Sequence, residues 1–204
     1  MQKFFTTLLV ALCFCTAAFS QKRAGDVEVG VNVGLNGSTV TADQYTNSKY
    51  RVGFNAGVSL DYFFSAAWSI KGKVVYDQKG WGDGYIDYGN NQAYTTDYKL
   101  DYITIPVMAN WHFGRTRNWF LDFGPYVGIL ASAKETAGGA DVKDLFNTTD
   151  AGVALGIGIK FPVSNNTKLF IELHGQGGIS DIVKDNPGSA LRTSTSSLNV
   201  GFAF

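Results

Sequence analysis

Between Asp150 and Phe161 apolar and small positions alternate without a break. Ala151, Val153, Leu155, Ile157, Ile159 and Phe161 share one parity; Asp150, Gly152, Ala154, Gly156, Gly158 and Lys160 share the other. Period two is the signature of a strand with two unlike faces. On a helix the same apolar residues would scatter around the circumference, and its glycines would weaken it. One face is continuous and greasy. The other is small, with a charge at each end, and suits a place where long side chains or a neighbouring backbone approach closely.

The alternation recurs along the chain and predicts eight strands. The first sets Val27, Val29, Val31, Val33 and Leu35 against Glu28, Gly30, Asn32, Gly34 and Asn36. The second sets Val52, Phe54, Ala56, Val58, Leu60, Tyr62 and Phe64 against Arg51, Gly53, Asn55, Gly57, Ser59 and Asp61. The third has Trp68, Ile70, Val74 and Tyr76 against Ser69, Lys71, Lys73 and Asp77. In the fourth, Tyr98 to Phe113, Leu100 and Tyr102 share one parity while Ile103, Ile105, Val107, Ala109, Trp111 and Phe113 share the other. That change of phase predicts a bulge near Tyr102 and Ile103. Pro106 sits mid-strand, which is awkward in a sheet without free edges. The fifth strand runs from Trp119 to Ala131, the sixth is Asp150–Phe161, the seventh runs from Leu169 to Ser180, and the eighth ends the chain as Leu198, Val200, Phe202 and Phe204.

The connections alternate in length. Segments 65–67, 114–118 and 162–166 are short; 38–49, 80–97, 133–149 and 181–193 are long and polar. Outer-membrane barrels have short periplasmic turns and long outer loops. With the N-terminus in the periplasm, every short turn falls there and every long loop falls outside. Aromatic residues flank the short turns: Tyr62, Phe64 and Trp68, then Trp111, Phe113 and Trp119, then Phe161, with Phe202 and Phe204 at the same level. This is where an interfacial girdle belongs. A soluble eight-stranded barrel would turn the greasy face inward and present a charged surface to water. Here the polar face is rich in glycine and carries charges of both signs, which can pair inside a narrow lumen. The expected fold is an all-β, eight-stranded, antiparallel, up-and-down transmembrane barrel, whose closure satisfies every backbone group in lipid.

Composition agrees. Glycine and aromatic residues are abundant (24 Gly, 15 Phe, 10 Tyr), prolines are few (4), and the formal charge is zero. No basic patch suggests nucleic acid. Residues 1–20 carry Lys3, the apolar run FFTTLLVALCFC at 4–15 and a small-residue site before Gln21. These features predict a cleaved signal peptide, leaving 21–204 as the barrel domain. Both cysteines, Cys13 and Cys15, lie in that leader. No later apolar run is long enough for a membrane helix.

IPVMANWHFG at 105–114, FLDFGPYVGILASA at 120–133, the 150–161 strand and GISDI at 178–182 together resemble the PorT-type outer-membrane β-barrel family of Bacteroidota. The resemblance covers most of the chain and implies the barrel fold and an integral outer-membrane location. Some members of that family serve type IX secretion, but these motifs carry no such role over to particular residues.

Candidate chemistry is sparse. Small barrels can be lipid A-modifying enzymes, which need a nucleophile and a base. His112 lies near the short-turn end, and His174 lies two residues from Glu172 on one face, with Ser180 farther along. Six residues of strand put Ser180 roughly 20 Å from His174, so both histidines read as lumen-pairing groups. Asp77, Asp83, Asp87, Asp97 and Asp101 surround a glycine-rich stretch, but their spacing fits no calcium loop. Gly156-Ile157-Gly158 precedes no helix and is not a nucleotide fingerprint. Asn147-Thr148-Thr149 is a glycosylation sequon in form only. No catalytic, cofactor-binding or metal residue is assigned, and no cofactor is expected. The expected function is non-enzymatic: a structural, assembly or recognition role through the loops or the periplasmic rim. A lipid A-modifying enzyme and a small passive pore are the alternatives. The expected partners are outer-membrane lipid and lipopolysaccharide, the barrel-assembly machinery during insertion, and a protein partner of unknown identity.

Overall fold

The alternating segments all become strands, and each pairs with its neighbours in sequence until the last meets the first. The computed structural model describes residues 22–42, 48–87 and 93–204. The leader 1–20, with both cysteines, lies outside the described residues, as do 43–47 and 88–92 in two of the outer connections. The strands are β1 Val27–Thr41, β2 Lys49–Phe63, β3 Trp68–Asp87, β4 Ala93–Phe113, β5 Trp119–Glu135, β6 Thr149–Pro162, β7 Lys168–Gly178 and β8 Arg192–Ala203. They form one closed antiparallel barrel in sequence order, with β8 paired to β1. Beyond β8, Phe204 adds a last rung, its N–H donating to the Val29 carbonyl at 2.8 Å.

The greasy parity faces out. On β6, Val153, Leu155, Ile157 and Phe161 are exposed while Asp150, Gly152, Ala154, Gly156, Gly158 and Lys160 are buried. On β1 Val27, Val29, Val31 and Val33 are exposed and Glu28, Asn32 and Asn36 are buried. This is the inverse of a water-soluble barrel, and it is stable only against hydrocarbon. At the short-turn end Trp68, Trp111, Phe113 and Trp119 stack in series, with ring centroids 6.1, 4.8 and 6.3 Å apart. That is the girdle expected from the sequence.

Two expectations are corrected. Segment 80–97 is not a long loop, because β3 and β4 run through it as strands of 20 and 21 residues. About 10 residues suffice to cross a membrane, so this hairpin rises well above the lipid. Nor does β4 change phase at Tyr102 and Ile103. Leu100, Tyr102, Thr104, Met108, Asn110 and His112 are all buried on one parity. What changes along β4 is the chemistry of the interior, from polar below to apolar above. A bulge is present, but on the neighbouring strand: Asp101 pairs with Ser132 and Tyr102 with Leu130, leaving Ala131 as the extra residue of β5. Pro106 leaves the register intact, since Gly72 pairs with Val107 and Val75 with Thr104 in the same register on either side of it.

Candidate functional site

The lumen is filled, in tiers. Nearest the short turns, Lys160 and Lys168 both bind the Glu28 carboxylate, Lys168 at 3.3 Å, with Lys22 at 3.4 Å. Beside them Ser69 Oγ donates to Asp61 at 2.9 Å and lies 3.0 Å from His112 Nε2. Asn110 Nδ2 also donates to Asp61 at 2.9 Å.

In the next tier Lys71 meets Asp122 at 2.6 Å and Lys73 meets Glu172 at 2.9 Å. Lys71 Nζ also lies 4.4 Å from the centroid of the Phe120 ring, a cation–π contact. The glycines of β6 make this crowding possible. A Cβ on Gly156 would run into the Asp122 carboxylate and the His174 ring, and one on Gly158 into the Phe120 ring.

Above it stands an amide tier. Asn32 Nδ2 donates to Asn55 at 3.0 Å, and Asn55 Nδ2 donates to Asn36 and Asn199 at 2.7 and 2.9 Å. Asn36 donates in turn to Asp77 at 2.7 Å, and Asn199 to Glu172 at 2.9 Å. Asp77 takes further hydrogen bonds from Gln176 and Thr104. One connected network therefore runs from Lys73 through Glu172, Asn199, Asn55 and Asn36 to Asp77.

The fourth tier centres on Asp150, which is fully buried. It accepts from Lys79 at 3.1 Å, Thr193 at 2.8 Å, Tyr126 at 3.2 Å and Ser180 at 3.3 Å. Lys79 Nζ sits 4.6 Å and 5.2 Å from the Tyr126 and Tyr102 ring centroids. A lysine with no exposed surface is thus held by a carboxylate and two rings.

The outer end is closed by apolar residues. Val40, Trp81, Tyr98, Leu100, Tyr102, Leu130 and Ala133 from the strands pack with Val142, Phe146 and Ile182 from the outer loops. Trp81 and Tyr98 stack at 4.6 Å and Phe146 meets both edge-on. Asn147 ties the loops together, donating to the carbonyls of Asp181 and Val183 at 2.9 and 3.1 Å. The buried Glu135 carboxylate accepts the N–H groups of Ala137, Gly138 and Ala140 and the Thr96 hydroxyl, which fixes the 136–140 turn. The connections expected to be long and polar bury apolar residues of their own and form a lid.

The residues singled out for chemistry are dispersed. Ser180 bonds to Asp150 and not to His174. Glu172 is taken up by Lys73 and Asn199, and His174 Nε2 has no protein partner among the described residues. Ser69 and His112 do meet, but Ser69 has no exposed surface and donates to Asp61, so it offers no nucleophile to a substrate. Of the aspartates at 77–101, Asp77 is inside the lumen, while Asp83 pairs with Lys49 at 2.8 Å and takes no part in a cluster with it. Among the described residues no group of three or more His, Cys, Asp or Glu side chains is placed to hold a metal ion. Sequence parity did mark the interior set: Lys71, Lys73, Asp61, Asp122, Glu172, Phe120, Tyr126 and Phe170 are all buried, and Arg51 is partly so. The expected change of phase kept Leu100 and Tyr102 out of the interior set, and Val142, Phe146 and Ile182 carry no periodic signal that would have placed them in the lid.

A closed eight-stranded barrel, apolar outside and charge-paired inside, is an integral outer-membrane β-barrel protein. The sequence matches the outer membrane protein beta-barrel domain family over residues 19–184, and the chain belongs to that family. Among solved structures it is similar to the outer membrane protein OprG from Pseudomonas aeruginosa, with a TM-score of 0.55 at 10% identity over 91% of this chain and 97% of that one. It is also similar to Neisserial surface protein A, with a TM-score of 0.50 at 17% identity over 85% and 95% of the two chains. Ail of Yersinia pestis, solved with the heparin analogue sucrose octasulfate, gives a TM-score of 0.48 at 19% identity over 88% and 99%. No curated protein matches the sequence.

Proposed function

We propose that this protein is a plugged, non-conducting and non-enzymatic barrel that acts through its ends, as a recognition or structural element of the outer membrane. The observation that carries the reading is the apolar lid, built around Leu100, Phe146 and Ile182, over a lumen whose lysines are each held by a carboxylate. An eight-stranded barrel has an interior just wide enough for side chains to fill, and here they fill it. Export through a cleaved 1–20 leader, insertion by the barrel-assembly machinery, contact with lipopolysaccharide outside, and kinship with the PorT-type proteins of Bacteroidota belong to the same reading. The lid supplies a rigid outward surface, since Asn147, Glu135 and Asp181 fix its loops by hydrogen bonds to backbone groups.

Planar-bilayer conductance and sugar uptake into liposomes test the closure. The folded wild-type protein should be silent in both, and steady ion flow or solute uptake would replace this reading with the pore. Replacing residues 136–148 by a short glycine linker tests recognition. Capture of partner proteins from native outer membranes should fall while the barrel stays folded. Capture unchanged by that replacement, but lost on altering the periplasmic turns, would move the working surface to the other end.

A further inference from the structure

The short-turn end holds a small open recess lined by Lys22, Phe63, His112, Arg117, Lys160 and Lys168. We propose that this recess binds a phosphate group. Among the described residues its lysines outnumber their carboxylate: Lys22, Lys160 and Lys168 converge on the single carboxylate of Glu28. Arg117 lines the same recess from the 114–118 turn. Of the other carboxylates at this end, Asp61 is occupied by Ser69 and Asn110 behind His112, and Asp26 accepts the Arg23 backbone N–H. The tiers deeper in the lumen differ, because there each lysine has a carboxylate of its own.

Glu28 gathers the lysine heads and leaves them with net positive charge. Their remaining N–H groups can serve a dianion with several acceptor oxygens. A guanidinium complements that chemistry with a planar pair of donors. The floor is aromatic: Phe63 lies against the His112 ring at 4.8 Å and beneath Lys22 Nζ at 5.6 Å. A low-dielectric floor strengthens attraction between the cations and an anion.

The backbone supplies an independent sign. Arg117 has φ of 53°, in the left-handed region that favours glycine. A turn that keeps arginine there carries strain that glycine would remove, and such strain clusters at ligand clamps. The phosphate can come from an inner-leaflet phospholipid headgroup, since the Trp68–Trp111–Trp119 girdle marks the interface at this end. It can also come from a soluble periplasmic phosphate compound.

The test uses the full chain folded in maltoside micelles, titrated calorimetrically with inorganic phosphate against chloride at constant ionic strength. One saturable site is expected for phosphate. Arg117→Gly and Lys168→Ala should each weaken it at least tenfold, with far-UV circular dichroism and heat-shifted gel migration unchanged. Arg117→Gly is the decisive variant because the substitution suits the local backbone. Competition with short-chain phosphatidylglycerol distinguishes the sources: displacement of phosphate assigns the site to a headgroup, and lack of displacement assigns it to a soluble compound. Phosphate binding no stronger than chloride, or affinity unchanged in both folded variants, would overturn the proposal.

Discussion

Glu172 is the residue whose removal tests the plugged lumen most directly. Its carboxylate accepts from Lys73 and Asn199, each at 2.9 Å, and lies 3.8 Å from Lys71. The Lys73 side chain is only 4% exposed and Glu172 only 1%. Glu172→Leu therefore strands a nearly buried cation and leaves the Asn199 amide short of an acceptor. Lys71 keeps Asp122 at 2.6 Å, so the damage centres on Lys73. Breaking one side of a buried pair costs about 3–5 kcal/mol, and less where water can enter. With a urea slope of about 1–3 kcal/mol per molar, the unfolding midpoint should fall by roughly 1–5 M. Tryptophan fluorescence in lipid vesicles, with heat-modified gel migration as the fold check, reads that shift. Glu172→Gln should cost less, because it keeps the shape and an acceptor. The double variant Lys73→Met/Glu172→Leu should regain most of the loss, since an apolar pair can replace a buried ion pair. A single variant with the wild-type midpoint, or a double variant as weak as the single, would refute the idea that charge pairing holds this lumen together.

Three further outcomes are expected. Deleting Phe204 removes the rung to Val29 and the aromatic end of β8; the protein should then accumulate in the periplasm or be degraded, and fractionation showing normal insertion would count against a targeting role for that residue. Gly158→Val should abolish folding, because its Cβ would sit 2.6 Å from the Ile171 carbonyl as well as in the Phe120 ring; a folded, heat-modifiable band for this variant would contradict the packing. The lid should loosen in acid. Partial burial pushes the Asp181 carboxyl up, but the Val183 N–H, the Asn186 amide and the Leu191 N–H outweigh this and, with the Arg192 charge, hold it below the usual carboxylate range. A depressed folded-state value stabilises the loop above the ordinary aspartate pKa of about 3.9, and that stability is lost as pH falls through the lower value. Amide exchange of residues 182–191 should therefore rise in that acid window, and Asp181→Asn should show raised exchange already at neutral pH with little further change in acid.

The barrel itself was legible because a strand's two faces obey a parity that needs no tertiary information. Once DAGVALGIGIKF reads as a strand, either face could be the inside, and loop lengths, girdle aromatics and the glycine-rich polar face decide for lipid outside. The interior residues followed from the same parity. Which of them touch did not. Lys73 and Glu172 are 99 residues apart, and Glu28 and Lys160 are 132 apart. Their meeting depends on how the closed sheet staggers its strands, which sets the residues that share a tier.

Tertiary structure alone decided the outer end. Leu100 and Tyr102 looked like a change of phase because sequence reading expects one chemistry per face. In fact the face is constant and its surroundings change, from a polar lumen to an apolar lid. Val142, Phe146 and Ile182 lie in polar segments without strand periodicity, and only the closing of the loops over Trp81 and Tyr98 gives them a surface to bury. Local pattern carries orientation along a strand. It carries nothing about contacts made across a barrel's mouth, where chain segments far apart in sequence are brought together by closure.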